Sequence, residues 1–184
     1  WGTQGPQYYV VARLCSRPDI ELEEALQEYT SGFGDAAPAI REYLDYWEEV
    51  TEWADYPDWA GHFHHLENDN GFYRSTLEER DARIHPFWGS WYIMPFLYTD
   101  DRLAEGRAIL DRADRLAGDD HMVRRRIAFL RDGLDHLELT RDAVELANAK
   151  LRPEADGPEA LRRQRQRFRR IMVDLKNLRS KLNS

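Results

Sequence analysis

Residues 62–65 read His-Phe-His-His, the densest run of metal-ligand types in this 184-residue sequence. In an extended chain His62 and His64 fall on one face, and imidazole is a common zinc ligand. A working site needs a third and a fourth ligand, and no spacing nominates them. A polar loop anchored by aromatic residues is the simpler reading, and no metal is expected. Residues 67–71, Glu-Asn-Asp-Asn-Gly, invite comparison with a calcium loop, but the register fails. With Gly71 in the sixth position, positions one and twelve would be Leu66 and Leu77, which offer no side-chain oxygen.

Acid–base and nucleophilic chemistry find no self-contained constellation. The adjacent carboxylates Glu48-Glu49, Glu78-Glu79 and Asp119-Asp120 fall on expected helices or caps, where solvation explains them. A glycine-rich phosphate loop, a G-x-S-x-G elbow and an H-E-x-x-H pair are all absent from the sequence. Cys15 is the only cysteine, which excludes an intrachain disulfide, and a lone thiol near a helix end is ordinarily inert. No cofactor is expected.

The aromatic residues carry more information. The chain has six Trp, nine Tyr and seven Phe, and all but Phe129 and Phe168 precede residue 100. Many belong to a core. Trp53, Tyr56, Trp59, Phe63, Phe72 and Tyr73 instead surround a stretch without periodicity, beside His64, Asn68, Asp69 and Asn70. Flat rings next to amide, carboxylate and imidazole groups offer what a sugar requires, a stacking face and hydrogen bonds. The competing reading is that these rings fix the loop to a neighbouring domain.

The elements that would position these residues read as helices. Tyr8, Tyr9, Val10 and Val11 would suit a strand, but Pro6 at a helix start and Tyr8, Val11 and Ala12 on one face favour a helix ending before Pro18. Asp19 is the expected cap of a second helix, with Leu22, Ala25, Leu26, Tyr29 and Phe33 at helical spacing until Gly32 and Gly34. Asp35 is the expected cap of a third, burying Ile40, Tyr43, Leu44, Trp47 and Val50. Residues 55–74 form the aromatic-rich loop. Ser75-Thr76-Leu77-Glu78 has the capping-box pattern of a short helix ending at His85-Pro86. The apolar run from Pro86 to Tyr98 should be buried and broken at Gly89 and Pro95.

Beyond it the periodicity is strong. Thr99 should cap a helix with Asp100 and Asp101 in its first turn and Leu103, Leu110 and Ala113 inward. Asp119 should cap a long helix whose seam is Val123, Ile127, Leu130, Leu134, Leu137 and Val144. Residues 152–158 break the pattern, and Leu161, Phe168, Ile171, Leu175, Leu178 and Leu182 line a final helix. The expected fold class is all-α, a multi-helix array with antiparallel C-terminal helices.

Charge is uneven along the chain. Residues 1–60 hold 13 acidic and 3 basic groups, residues 61–150 hold 17 and 13, and residues 151–184 hold 4 and 10, within a net charge of −8. A basic tail could attract nucleic acid, but no aromatic platform is interleaved with its arginines, so no nucleic-acid partner is expected. Packing against acidic surface, or plain solvation, accounts for it. No window approaches the apolar length of a membrane span.

Three stretches together resemble one family: WGTQGPQYYVVARL, FGDAAPAIREYLDYWEEV, and the segment from Tyr98 to Leu139. Over about residues 1–150 the chain is similar to the C-terminal portion of the bacterial proteins grouped as domain of unknown function 4838. The central region of those proteins resembles the (β/α)8 barrels of glycoside hydrolases. The resemblance implies that residues 1–18 are the end of a barrel-like domain, its last strand end and last helix, and that 19–184 form an α-helical C-terminal domain. Chemistry in such barrels occurs at the carboxyl ends of the strands. The implied substrate-contacting residues are therefore Trp1 and Gln4 at the rim, with Trp53, Trp59, His64, Phe72 and Tyr73 of the aromatic loop against them. Glycosidases generally use two carboxylates, and no Asp or Glu precedes Asp19. The catalytic pair is accordingly expected upstream of Trp1, in a barrel partner of the same protein, with a carbohydrate as the ligand. With that part of the parent ahead of Trp1, a secreted or periplasmic location is compatible. The alternative is a non-enzymatic helical module that holds a protein partner.

Overall fold

The computed structural model describes residues 5–51, 94–148 and 153–182, and no strand occurs among them. Helices run over Gly5–Ser16 (α1), Leu22–Ser31 (α2), Ala37–Thr51 (α3), Met94–Leu97 (α4), Asp100–Leu116 (α5), His121–Asn148 (α6) and Pro153–Leu182 (α7). The protein is all-α in its described residues. It divides into two compact units, the first made of Trp1–Thr51 and Asp100–His136, the second of Glu52–Thr99 and Leu137–Ser184. Helix α6 contributes residues to both.

In the first unit, side-chain links set the helix directions. Arg13 pairs with Glu28 and Arg17 with Glu24, so α1 and α2 run antiparallel. Tyr46 donates to the Arg102 carbonyl at 2.9 Å while Arg112 reaches Glu42, so α3 opposes α5. Arg107–Asp135 and Arg131–Asp111 (both 2.5 Å) and Arg124–Asp114 (3.4 Å) make α5 and α6 antiparallel. These partly exposed ion pairs fix register more than they stabilise. The apolar stripes do the latter: Ile40 and Tyr43 of α3, Leu103, Ile109 and Leu110 of α5, and Ile127 and Leu134 of α6 are buried almost completely.

The second unit is tied at Arg141, which is buried. Its guanidinium donates to the Tyr98 carbonyl at 3.0 Å and to Asp142 at 2.6 Å. Gln164 donates to the Leu146 carbonyl at 2.7 Å, and Arg167 lies 4.0 Å from Asp142, so α6 and α7 are antiparallel as well. Among the described side chains of α7, Ile171 and Leu175 are the buried ones.

Several boundary expectations are corrected. Helix α2 starts at Leu22 with Glu21 at its N-cap and no side-chain cap bond, so Asp19 is not its cap. Asp35 lies inside a 3-10 turn, Gly34–Ala36, that precedes α3. The cap of α6 is Asp120, not Asp119: its carboxylate accepts from the backbone N–H of Met122 and Val123 at 2.9 and 3.0 Å. The pattern S/T/D/N before an apolar run is satisfied by either aspartate, and the turn after Gly118 (φ 53°) chooses between them. Pro95 sits in the first turn of α4, where a missing N–H costs nothing. The break at 152–158 is carried by Gly157, at φ 73°, with Pro158 opening the long part of α7.

One face departs from its pattern altogether. Val11 is 57% exposed and Tyr8, Ala12, Leu14 and Cys15 are exposed too, while only Pro6 of α1 is buried. Leu22, expected inward on α2, is also exposed. The polar side of α1, Tyr9 and Arg13, is the side that meets α2.

Candidate functional site

A groove of about 530 Å3 lies in the first unit where the end of α2 meets the beginning of α6. It is built from local rules. Tyr29 and Phe33 are four residues apart and so share a face of α2 and its C-terminal turn, with ring centroids 5.9 Å apart. Tyr9 of α1 extends the row, its ring 5.6 Å from that of Tyr29. Across from them, α6 contributes Met122, Arg125, Arg126, Phe129 and Leu130, whose i, i+3, i+4, i+7 spacing is one helical stripe. The Asp120 cap sets where that stripe begins.

Gly32 closes the corner. Its carbonyl accepts from the Arg126 guanidinium, which satisfies an orphan acceptor at the C-terminus of α2. A Cβ on Gly32 would stand 3.1 Å from Arg126 Nη1, so a larger residue would crowd this contact.

Glu28 lies at the groove edge, but its carboxylate is already committed. Arg13 donates to it through Nε at 2.6 Å and Nη2 at 2.8 Å, Tyr9 donates through its hydroxyl at 3.2 Å, and Arg17 is 3.8 Å away. The Arg13 hydrogen bonds hold its carboxyl below the usual carboxylate range, with Tyr9 adding to them against the opposing effect of burial. The same contact raises the pKa of Arg13. A carboxylate stabilised in its ionised form is a poor proton donor at neutral pH. Burial raises the Tyr29 hydroxyl, and the Arg126 charge offsets part of that. The arrangement is suited to binding a flat apolar group beside a charge. It contains no nucleophile with an adjacent base.

The sequence-derived contact residues Trp1, Gln4, Trp53, Trp59, His64, Phe72 and Tyr73 lie outside the described residues, as do the His-Phe-His-His run, the 55–74 loop and the Ser75 helix. Among the described residues no group of three or more His, Cys, Asp or Glu could hold a metal ion, and no helix is long and apolar enough to cross a membrane. The groove itself was missed in the sequence, and only the α1–α2 seam at its edge left a signal there. Tyr9 and Arg13 are an i, i+4 pair, Glu24 and Glu28 are another, and such complementary stripes on neighbouring helices announce a seam.

Fold and site together define an all-α protein with an aromatic groove in its first helical unit. No family model, no curated protein and no solved structure matches the chain.

Proposed function

We propose that this chain is the helical C-terminal portion of a glycoside-hydrolase-like, carbohydrate-active protein, in which α1 closes a (β/α)8 barrel and the remaining helices brace it. The reading rests on the sequence resemblance and is supported by one observation: the apolar face of α1, with Val11, Ala12 and Leu14, is turned to solvent while its polar face holds α2. Globular proteins bury such faces, and the last helix of a barrel does so against its neighbours. In this reading residues 1–18 belong to the barrel, and Trp1, Gln4, Trp53, Trp59, His64, Phe72 and Tyr73 contact the sugar. The acid and the base or nucleophile lie upstream, and the 184-residue chain alone hydrolyses no glycoside.

The test compares Val11→Asp in the 184-residue chain and in the protein extended upstream of Trp1. The expected result is a melting temperature unchanged in the chain alone and lowered in the extended protein. Equal effects in both, or an upstream sequence without several hundred residues of alternating strand and helix periodicity, would sink the reading. So would turnover of aryl glycosides by the chain alone that a single Asp or Glu change within it abolishes. A second reading, a non-enzymatic helical module for a protein partner, draws on the exposed Met172 and Val173 among the basic residues of α7. An ordinary start codon close upstream of Trp1 would favour it.

A further inference from the structure

We infer that the groove between α2 and α6 binds a small aryl carboxylate, its ring between Phe33, Tyr29 and Phe129 and its anionic group at Arg125 and Arg126. Two features of the groove carry this. The first is unneutralised charge. On α5 and α6, Arg107, Arg112, Arg124 and Arg131 each lie within ion-pair distance of a carboxylate. Arg125 and Arg126, on the groove, have no carboxylate partner among the described residues, and Arg126 meets a neutral carbonyl instead. Arg115 of α5 also lacks a carboxylate among the described residues but does not line the groove; Arg125 and Arg126 do, and two guanidiniums on the lining of an apolar groove without a carboxylate are positioned to receive an external anion.

The second feature is the apolar wall beside them. Met122 is 55% exposed and Phe129 38%, and with Leu130 and the Tyr29–Phe33 pair they form one surface next to the two charges. A volume of about 530 Å3 matches a ligand of one ring with a short chain, within the few hundred to 1,000 Å3 typical of small-molecule sites. A neutral sugar fits the lining less well. Its several hydroxyls each need a hydrogen-bond partner, whereas the Glu28 carboxylate already accepts from Arg13 and from the Tyr9 hydroxyl. An aromatic ring bearing one carboxylate uses the rings for stacking and the guanidiniums for charge-assisted hydrogen bonds, and leaves nothing unpaired.

The test is calorimetric titration of the full 184-residue chain with 4-hydroxycinnamate, its methyl ester and glucuronate. Its outcome does not depend on whether a barrel precedes the chain. The expected result is saturable binding of 4-hydroxycinnamate that weakens as salt is raised, with the ester bound at least about tenfold more weakly. Arg125→Gln, at an exposed position, should weaken binding about tenfold or more with an unchanged melting temperature. Phe129→Ala should weaken it independently, and Arg163→Gln, which does not line the groove, should leave it unchanged. Absence of saturation up to ~10 mM, equal binding of acid and ester, an unaffected Arg125→Gln variant, or glucuronate binding as tightly as 4-hydroxycinnamate would each overturn the assignment.

Discussion

The indole of Trp47 lies so close over Gly106 that a Cβ at 106 would stand 2.7 Å from its Cζ2 and 3.2 Å from its Cε2. Gly106 is buried in the middle of α5, where an alanine would ordinarily gain about 1 kcal/mol of helix propensity. The indole ring cannot flex out of that contact as the tip of a long chain would. Gly106→Ala should therefore lose more by overpacking than it gains, a net destabilisation of about 1–2 kcal/mol in chemical denaturation. An alanine variant as stable as the parent, or more so, would show that Trp47 swings aside freely.

The seam of α6 is expected to be the least tolerant part of the first unit. Leu134 is 0% exposed, and Leu134→Asp should cost about 3–5 kcal/mol by placing an unpaired charge among apolar neighbours. Leu22→Asp is the control, since Leu22 is 58% exposed despite its place in the sequence pattern, and should change stability by less than about 0.5 kcal/mol. A thermal melt unaffected by the Leu134 substitution would remove that residue from the core.

The two aspartates before α6 separate cleanly. Asp120→Ala should cost about 1 kcal/mol, because the N–H groups of Met122 and Val123 lose their acceptor. Asp119→Ala should be close to neutral. A reversed order of effects in urea denaturation would return the cap to Asp119.

How much of this was legible in the sequence depended on whether the pattern or its surroundings decided the outcome. The stripes Leu103–Leu110–Ala113 and Val123–Ile127–Leu130–Leu134 are dense enough to fix both helix and buried face, and the structure buries every one of them. Tyr8–Val11–Ala12 favoured a helix over a strand less decisively and did not say what the face touches; in the structure it is exposed to solvent. Three caps were placed one or two residues off: before α6 two neighbouring aspartates both satisfy the chemical rule, whereas α2 starts behind Glu21 with no side-chain cap bond and Asp35 falls in the 3-10 turn ahead of α3. The groove was illegible for a different reason. Tyr9, Tyr29 and Phe129 are 20 to 120 residues apart, and each reads separately as part of an ordinary amphipathic helix.

Acid should loosen α1 from α2 before it unfolds the core. The Glu28 carboxyl is held below its ordinary value of 4.5 by Arg13, so the contribution of this pair is present above that value and is lost as pH falls through the lower folded-state pKa. Glu28→Gln should remove that acid dependence while sparing the helix content at neutral pH. The measurement is hydrogen exchange of the α1 amides between pH 6 and about 3. Protection of α1 that falls identically in the variant and the parent would assign the loss to other carboxylates.

At the alkaline end the decisive residue is Tyr43. It is 1% exposed, its hydroxyl has no hydrogen-bond partner of good geometry among the described residues, and burial pushes its pKa from 10.0 up to about 12, the nearby Trp47 indole offsetting a part. In the unfolded chain the hydroxyl gives up its proton near pH 10, whereas in the folded chain it keeps it to about pH 12. The unfolded state thus binds fewer protons across this window, so stability is fully present below pH 10 and falls as pH rises toward 12, by roughly 2 kcal/mol for a shift of this size. Burial likewise raises Tyr29, Tyr46 and Tyr98, so the parent and any single variant both decline. The informative quantity is the difference between parent and Tyr43→Phe. At pH 7 the variant should equal or exceed the parent in stability, because it deletes a buried hydroxyl that lacks a good partner. Between pH 10 and 12 the variant should lose less than the parent, and denaturant titrations at pH 7, 10 and 11.5 would resolve this. Parallel curves across that range would mean that the Tyr43 hydroxyl reaches water in the folded protein.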